Sequence, residues 1–243
     1  MKKRDKKSLI QFILVFFVFA SFMNMGASCN HENNTASNVF NQVGGTEDVT
    51  DNVVTQPTPE LNLSQGKEYF SSGEYDKALI SFQKVLVTNP NNDELAMAYA
   101  GIGWSRVKMS GSILDGEKDF ENGYAARTTN ADAKVGLASA YLLKDKDHIK
   151  EAISLLESLG MTSDNSNTTG TYDENFEYKS EINSGISNAR VHALLASCYY
   201  YNNESTKAKN QIDIAKRLDP SSDRVRSIET AIITLGYWVG SII

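Results

Sequence analysis

From about Glu60 to the end of the chain, apolar residues recur at three- and four-residue steps, broken by one polar interval between 160 and 187. That period predicts amphipathic helices. Within it, one spaced signature occurs twice, 130 residues apart. Gly66, Tyr69, Ala78, Phe82 and Pro90 are matched, interval for interval, by Ala196, Tyr199, Ala208, Ile212 and Pro220. Gly73 interrupts the first run and supplies a turn between two antiparallel helices. Pro90 ends the second helix, and Asn91-Asn92-Asp93 offers caps for the next. A unit this small cannot bury its own apolar face and must stack on copies of itself, so the pattern predicts a helical solenoid.

The spacing resembles the tetratricopeptide repeat (TPR): a small residue, an aromatic three on, a small residue nine further, then a large apolar residue and a proline. Counting forward from Pro90 places the next small position at Ala100, with Gly103 where the family usually has Tyr, followed by Gly116, Phe120 and Gly123. A third unit follows through Ala138, Tyr141, Ala152, Leu156 and Leu159. The resemblance implies an all-α, right-handed superhelical solenoid of antiparallel helix pairs, with about four units over 59–222. An insertion at about 161–186 interrupts it, and the aromatics Tyr172, Phe176 and Tyr178 suggest that its second half packs on something. Beyond Pro220, Val225, Ile228, Ile232, Leu235, Val239 and Ile242 alternate at three- and four-residue steps, as expected of a capping helix over 223–243.

In this family the first helix of each pair lines a concave groove. The resemblance places Phe70, Trp104, Leu142 and Tyr200 there, four residues after each small position, with Ser71, Ser105, Leu143 and Tyr201 next to them. Trp104 and Tyr201 are the leading contact candidates, because large aromatics in a concavity are common hot spots. Lys67, Glu94, Asp132 and Arg190 are expected at the rim. The function so implied is a non-catalytic scaffold or adaptor that binds a protein or peptide segment. The alternative is a small-ligand or glycan binder with the insertion as its lid. A third reading is an enzyme or accessory subunit using an unrecognised carboxylate site.

The chain opens with Lys2, Lys3, Arg4, Lys6 and Lys7, then an uncharged stretch over 8–28 that ends in small residues. This reads as an export signal, with an uncleaved anchor as the alternative. Cys29 follows directly. The arrangement resembles the lipobox of bacterial lipoproteins, with Gly26 where Leu is usual, and implies lipidation of Cys29; an ordinary secretory cleavage would leave a free thiol there instead. Residues 29–58 are polar and lack helical period, so a disordered tether is expected, spanning roughly 30 Å as a flexible coil. The expected location is therefore a bacterial membrane, with the domain facing the periplasm or the cell surface.

Without the leader, 19 basic and 29 acidic residues remain, a net charge of −10. An acidic domain without a basic stripe argues against nucleic acid as a partner. His31, His148 and His192 are far apart, and none has a second metal ligand at a recognised spacing. No phosphate loop or nucleophile elbow is present. No cofactor is expected, and Cys198, within an apolar helical run, reads as a small buried hydrophobe.

Overall fold

The computed structural model describes residues 58–160 and 176–240. The leader, Cys29 and most of the tether lie outside the described residues, as do 161–175 of the insertion.

Nine α-helices are present among the described residues. These are α1 (Pro59–Ser71), α2 (Tyr75–Val85), α3 (Asn92–Ser110), α4 (Glu117–Ala126), α5 (Ala131–Lys144), α6 (Ile149–Glu157), α7 (Asn188–Tyr201), α8 (Ser205–Leu218) and α9 (Asp223–Gly240). A 3-10 turn precedes α4 and another follows α6. Each odd-numbered helix packs on its even partner and on the next odd-numbered helix, and each even helix also packs on the unit that follows. The result is an all-α solenoid of four helix pairs, with α9 laid against α7 and α8.

The two matched turns are built alike. Gly73 and Asn203 stand seven residues after Gly66 and Ala196 and both adopt left-handed backbone, at φ 79° and 64°. The chain then closes with Glu74 N–H donating to the Tyr69 carbonyl at 2.9 Å, and Glu204 N–H to the Tyr199 carbonyl at 2.8 Å. In both copies a lysine bonded to that glutamate lies over that tyrosine: Lys77 is 5.5 Å from the Tyr69 ring and Lys207 is 5.0 Å from the Tyr199 ring. Asn can enter this conformation where branched residues cannot, so the turn keeps its shape without a second glycine.

Capping follows the same division. Thr58, Asn91, Asn130 and Ser187 cap α1, α3, α5 and α7 through their side chains, while α2, α4, α6 and α8 have no side-chain cap. The capping side chains satisfy N–H groups that have no partner within the helix at the start of each first helix.

Size matching sets the distance between helices. A Cβ added at Gly66 or Gly101 would come within 2.6 Å of the Phe82 ring. Phe120 is likewise enclosed, with notional Cβ distances of 2.6 Å from Gly103, 2.7 Å from Gly116 and 2.5 Å from Gly136. Phe82 and Phe120 thus fill the joints between units one and two and between units two and three. At the matching positions, units three and four pair Ala138 with Leu156 and Ala196 with Ile212, all buried. A methyl replaces hydrogen where the opposing side chain is smaller, as close packing requires.

These contacts correct the register of the second unit. Gly103, facing its own Phe120, occupies the place that Gly66 has against Phe82, and Ala100 lies one helical turn earlier. The 19-residue α3 absorbs the extra turn.

Candidate binding groove

The odd-numbered helices form one face of the solenoid. Lys67 on α1 reaches Met97 on α3, with Nζ 3.7 Å from the sulfur. Further along, Lys108 of α3 lies in the field of Arg190 of α7 and Arg224 of α9. Burial, then Arg190 and then Arg224, push Lys108 down to about 8. Arg190 is also lowered, by burial first and Arg224 second, against the opposing pull of Asp219. Lys108, Arg190 and Arg224, all half-buried, therefore lie within electrostatic reach of one another on an otherwise acidic protein.

Tyr200 and Tyr201 end α7, both half-buried, with their rings edge to face at 5.8 Å. Burial raises the pKa of each phenol. The Tyr201 hydroxyl is buried and has no hydrogen-bond partner among the described residues. Such a group is costly to leave unsatisfied. Nearby Cys198 is fully buried, with its thiol pushed up to about 12 by burial, so it is a packing residue.

The other groove candidates lie elsewhere. Trp104 is only 3% exposed, packs against Phe120 at 5.1 Å and donates its indole N–H to the Asp132 carbonyl at 3.2 Å. It is a joint residue between units two and three, misplaced by the one-turn register error. Phe70 is buried against Tyr75 at 5.1 Å, and Leu142 is buried in the core. Glu94 closes a capping box with Asn91 instead of standing at the rim. Asp132 is wholly buried. Of the expected contact residues, Tyr200, Tyr201, Lys67 and Arg190 remain accessible, as do Ser71 and Leu143, while Ser105 is buried.

Asp132 anchors a feature that the sequence pattern left open. Residues 176–187 run as a strap across the starts of α5 and α7, without helix or strand, and turn at Asn183 and Gly185, where the backbone is left-handed. One Asp132 oxygen accepts from the Tyr178 hydroxyl at 2.6 Å and the Ser180 hydroxyl at 2.7 Å. The other accepts from the N–H groups of Glu181 at 2.7 Å and Ile182 at 3.3 Å. Burial raises the Asp132 pKa, and these hydrogen bonds oppose that shift. Arg127 pairs with both Glu181 and Asp93, tying the strap to the start of α3. The alternation of Phe176, Tyr178 and Ser180 was the available signal for an extended, one-sided segment.

Among the described residues, no group of three or more His, Cys, Asp or Glu is placed to hold a metal ion. No helix there is long and apolar enough to cross a membrane.

Fold and surface together define a helix-pair solenoid whose first helices carry the half-buried Lys67, Lys108, Arg190, Tyr200 and Tyr201. No family model matches the chain. No curated protein matches it either. Among solved structures, it is similar to a thermophilic TPR protein from Thermus thermophilus. The two share 18% identity over 74% of this chain and 84% of that one, with a TM-score of 0.48.

Proposed function

We propose that this chain is a non-catalytic scaffold of the tetratricopeptide type, held at a bacterial envelope membrane by a lipid on Cys29. The face formed by its first helices captures an acidic segment of another protein. The observation that carries this reading is the gathering of Lys108, Arg190 and Arg224 on the same face as Tyr200 and Tyr201. Half-buried cations favour an incoming carboxylate, because burial disfavours the charge of each, and Lys108 and Arg190 are further opposed by neighbouring arginines. Tyrosine supplies broad contact area with few rotatable bonds, and the buried Tyr201 hydroxyl offers a donor. The leader and the lipobox-like Gly26-Ala27-Ser28-Cys29 support the anchored location.

Affinity capture from native envelope extracts tests the groove. Wild type should recover a partner that Arg190→Glu and Tyr201→Ala each retain at least tenfold less well. Equal recovery by both variants would remove this face from consideration. Intact mass of the mature protein tests the anchor separately, since an unmodified Cys29 contradicts lipidation.

A further inference from the structure

The strap over 176–187 is held on the solenoid in the way a protein holds a bound peptide. Among the described residues, none of the backbone groups from 176 to 186 bonds to another backbone group outside helices. Side chains do the holding. Asn188 contacts the strap twice, accepting the Tyr178 N–H at 3.0 Å and donating to the Phe176 carbonyl at 3.5 Å. His192 Nε2 lies 3.2 Å from that same carbonyl. The Asp132 carboxylate takes the N–H groups of Glu181 and Ile182.

Alternate side chains turn inward. Phe176 stacks on the His192 ring at 4.2 Å, and the Tyr178 hydroxyl reaches Asp132, while Glu177 and Lys179 are exposed. Over 176–180, backbone bonds that give affinity and inward places for every second side chain match recognition of an extended peptide, and beyond it the strap turns, with the Ser184 N–H donating to Ser180 Oγ at 2.8 Å. The receiving groups are also fixed by contacts of their own. The Asp132 backbone is tied to Trp104, His192 Nδ1 lies 2.7 Å from Gln211 Oε1, and Asn188 begins a helix capped by Ser187. A preorganised receptor of this kind loses little freedom on binding.

We propose that the starts of α5 and α7 form a segment-binding site, filled in cis by the chain's own Phe-Glu-Tyr-Lys-Ser-Glu stretch. The site accepts in trans a partner segment of the pattern Phe-x-Tyr-x-Ser-Glu, whose last residue pairs with Arg127. The covalently attached copy has an effective concentration on the order of 1 mM, so a partner competes when it approaches that concentration or when the strap is weakened. This site uses different residues from the Tyr200–Tyr201 face, and either can fail without the other.

The test uses the full chain carrying Phe176→Ala and Tyr178→Ala together, with a fluorescent peptide of the sequence at 176–184 read by anisotropy. The peptide should bind this variant at least tenfold more tightly than wild type. Adding Asp132→Asn should weaken that binding at least tenfold. A variant that melts cooperatively with wild-type helicity, yet binds no peptide, overturns the proposal. So does equal binding by a peptide in which the tyrosine is replaced by alanine. If the double variant does not fold, wild type is read by amide hydrogen exchange. Excess peptide should then speed exchange at Tyr178, Glu181 and Ile182 while α5 and α7 stay unchanged. Unaltered exchange at about 1 mM peptide, the scale of a tethered competitor, overturns it equally.

Discussion

A Cβ at Gly136 would sit 2.5 Å from the Phe120 ring, closer than packed atoms allow. Two effects compete in Gly136→Ala: helix propensity favours alanine by about 1 kcal/mol, while overpacking a filled joint costs about 1–3 kcal/mol. Overpacking should win, lowering the melting temperature. Adding Phe120→Leu should recover part of the loss, because it makes room for the methyl; denaturation of the single and double variants checks both signs. Trp104→Ala should destabilise by about 3–5 kcal/mol, the range for emptying a large buried aromatic, whatever it does to partner binding. Trp104→Phe, which keeps most of the ring, should lose only about 1 kcal/mol for the bond to Asp132. Lys134 carries a pH prediction. Burial holds it at about 8, below the ordinary 10.5, while its ammonium donates to the Ser158 carbonyl at 2.9 Å. Below pH 8 both folded and unfolded chains keep the proton, and the penalty for burying the charge is fully present. Between 8 and 10.5 only the unfolded chain keeps it, so stability rises with pH. The melting temperature of wild type should therefore climb relative to Lys134→Met from about pH 7.5 to about pH 10, and a constant difference would contradict this account.

Elements show which parts of the fold were legible from sequence and which were not. The matched turns at Gly73 and Asn203 follow from short-range chemistry, and so their spacing could be read directly. In the second unit the same logic placed the small position at Ala100. A helix can gain a turn at its start without losing its apolar period, so counting from Pro90 could not reveal that shift. Only the enclosure of Phe120 by Gly103 and Gly136 does. Trp104 was placed on the groove for that reason. The strap was less legible still, because Asp132 lies 46 residues from Tyr178 and no local pattern joins them. The capping box of α3, by contrast, is local. Asn91 accepts from the N–H groups of Asp93 at 2.9 Å and Glu94 at 3.0 Å, while Glu94 accepts the Asn91 N–H at 2.8 Å. Asn91→Ala should cost about 1 kcal/mol, and Asn91→Asp much less, since aspartate caps comparably. Urea denaturation of the two variants distinguishes a cap from a merely polar surface residue.

At the scale of the whole molecule, stacking like elements gives every unit a similar orientation, so side chains from separate units accumulate on one face. Phe82 and Phe120 set the joints, and Lys108 on α3 lies within the electrostatic reach of Arg190 on α7. Repetition thereby gathers cations on a chain whose net charge is −6. The proposed binding of an acidic segment rests on that set of cations. The most direct measurement is site-specific photo-crosslinking in living cells, with benzoylphenylalanine placed at Tyr200 or at Val87. Val87 is 84% exposed just beyond α2 and serves as the control position. The account predicts a discrete protein adduct from position 200 that disappears with Arg190→Glu, and none from position 87. An adduct from position 87 alone, or an adduct at 200 indifferent to Arg190→Glu, would contradict it.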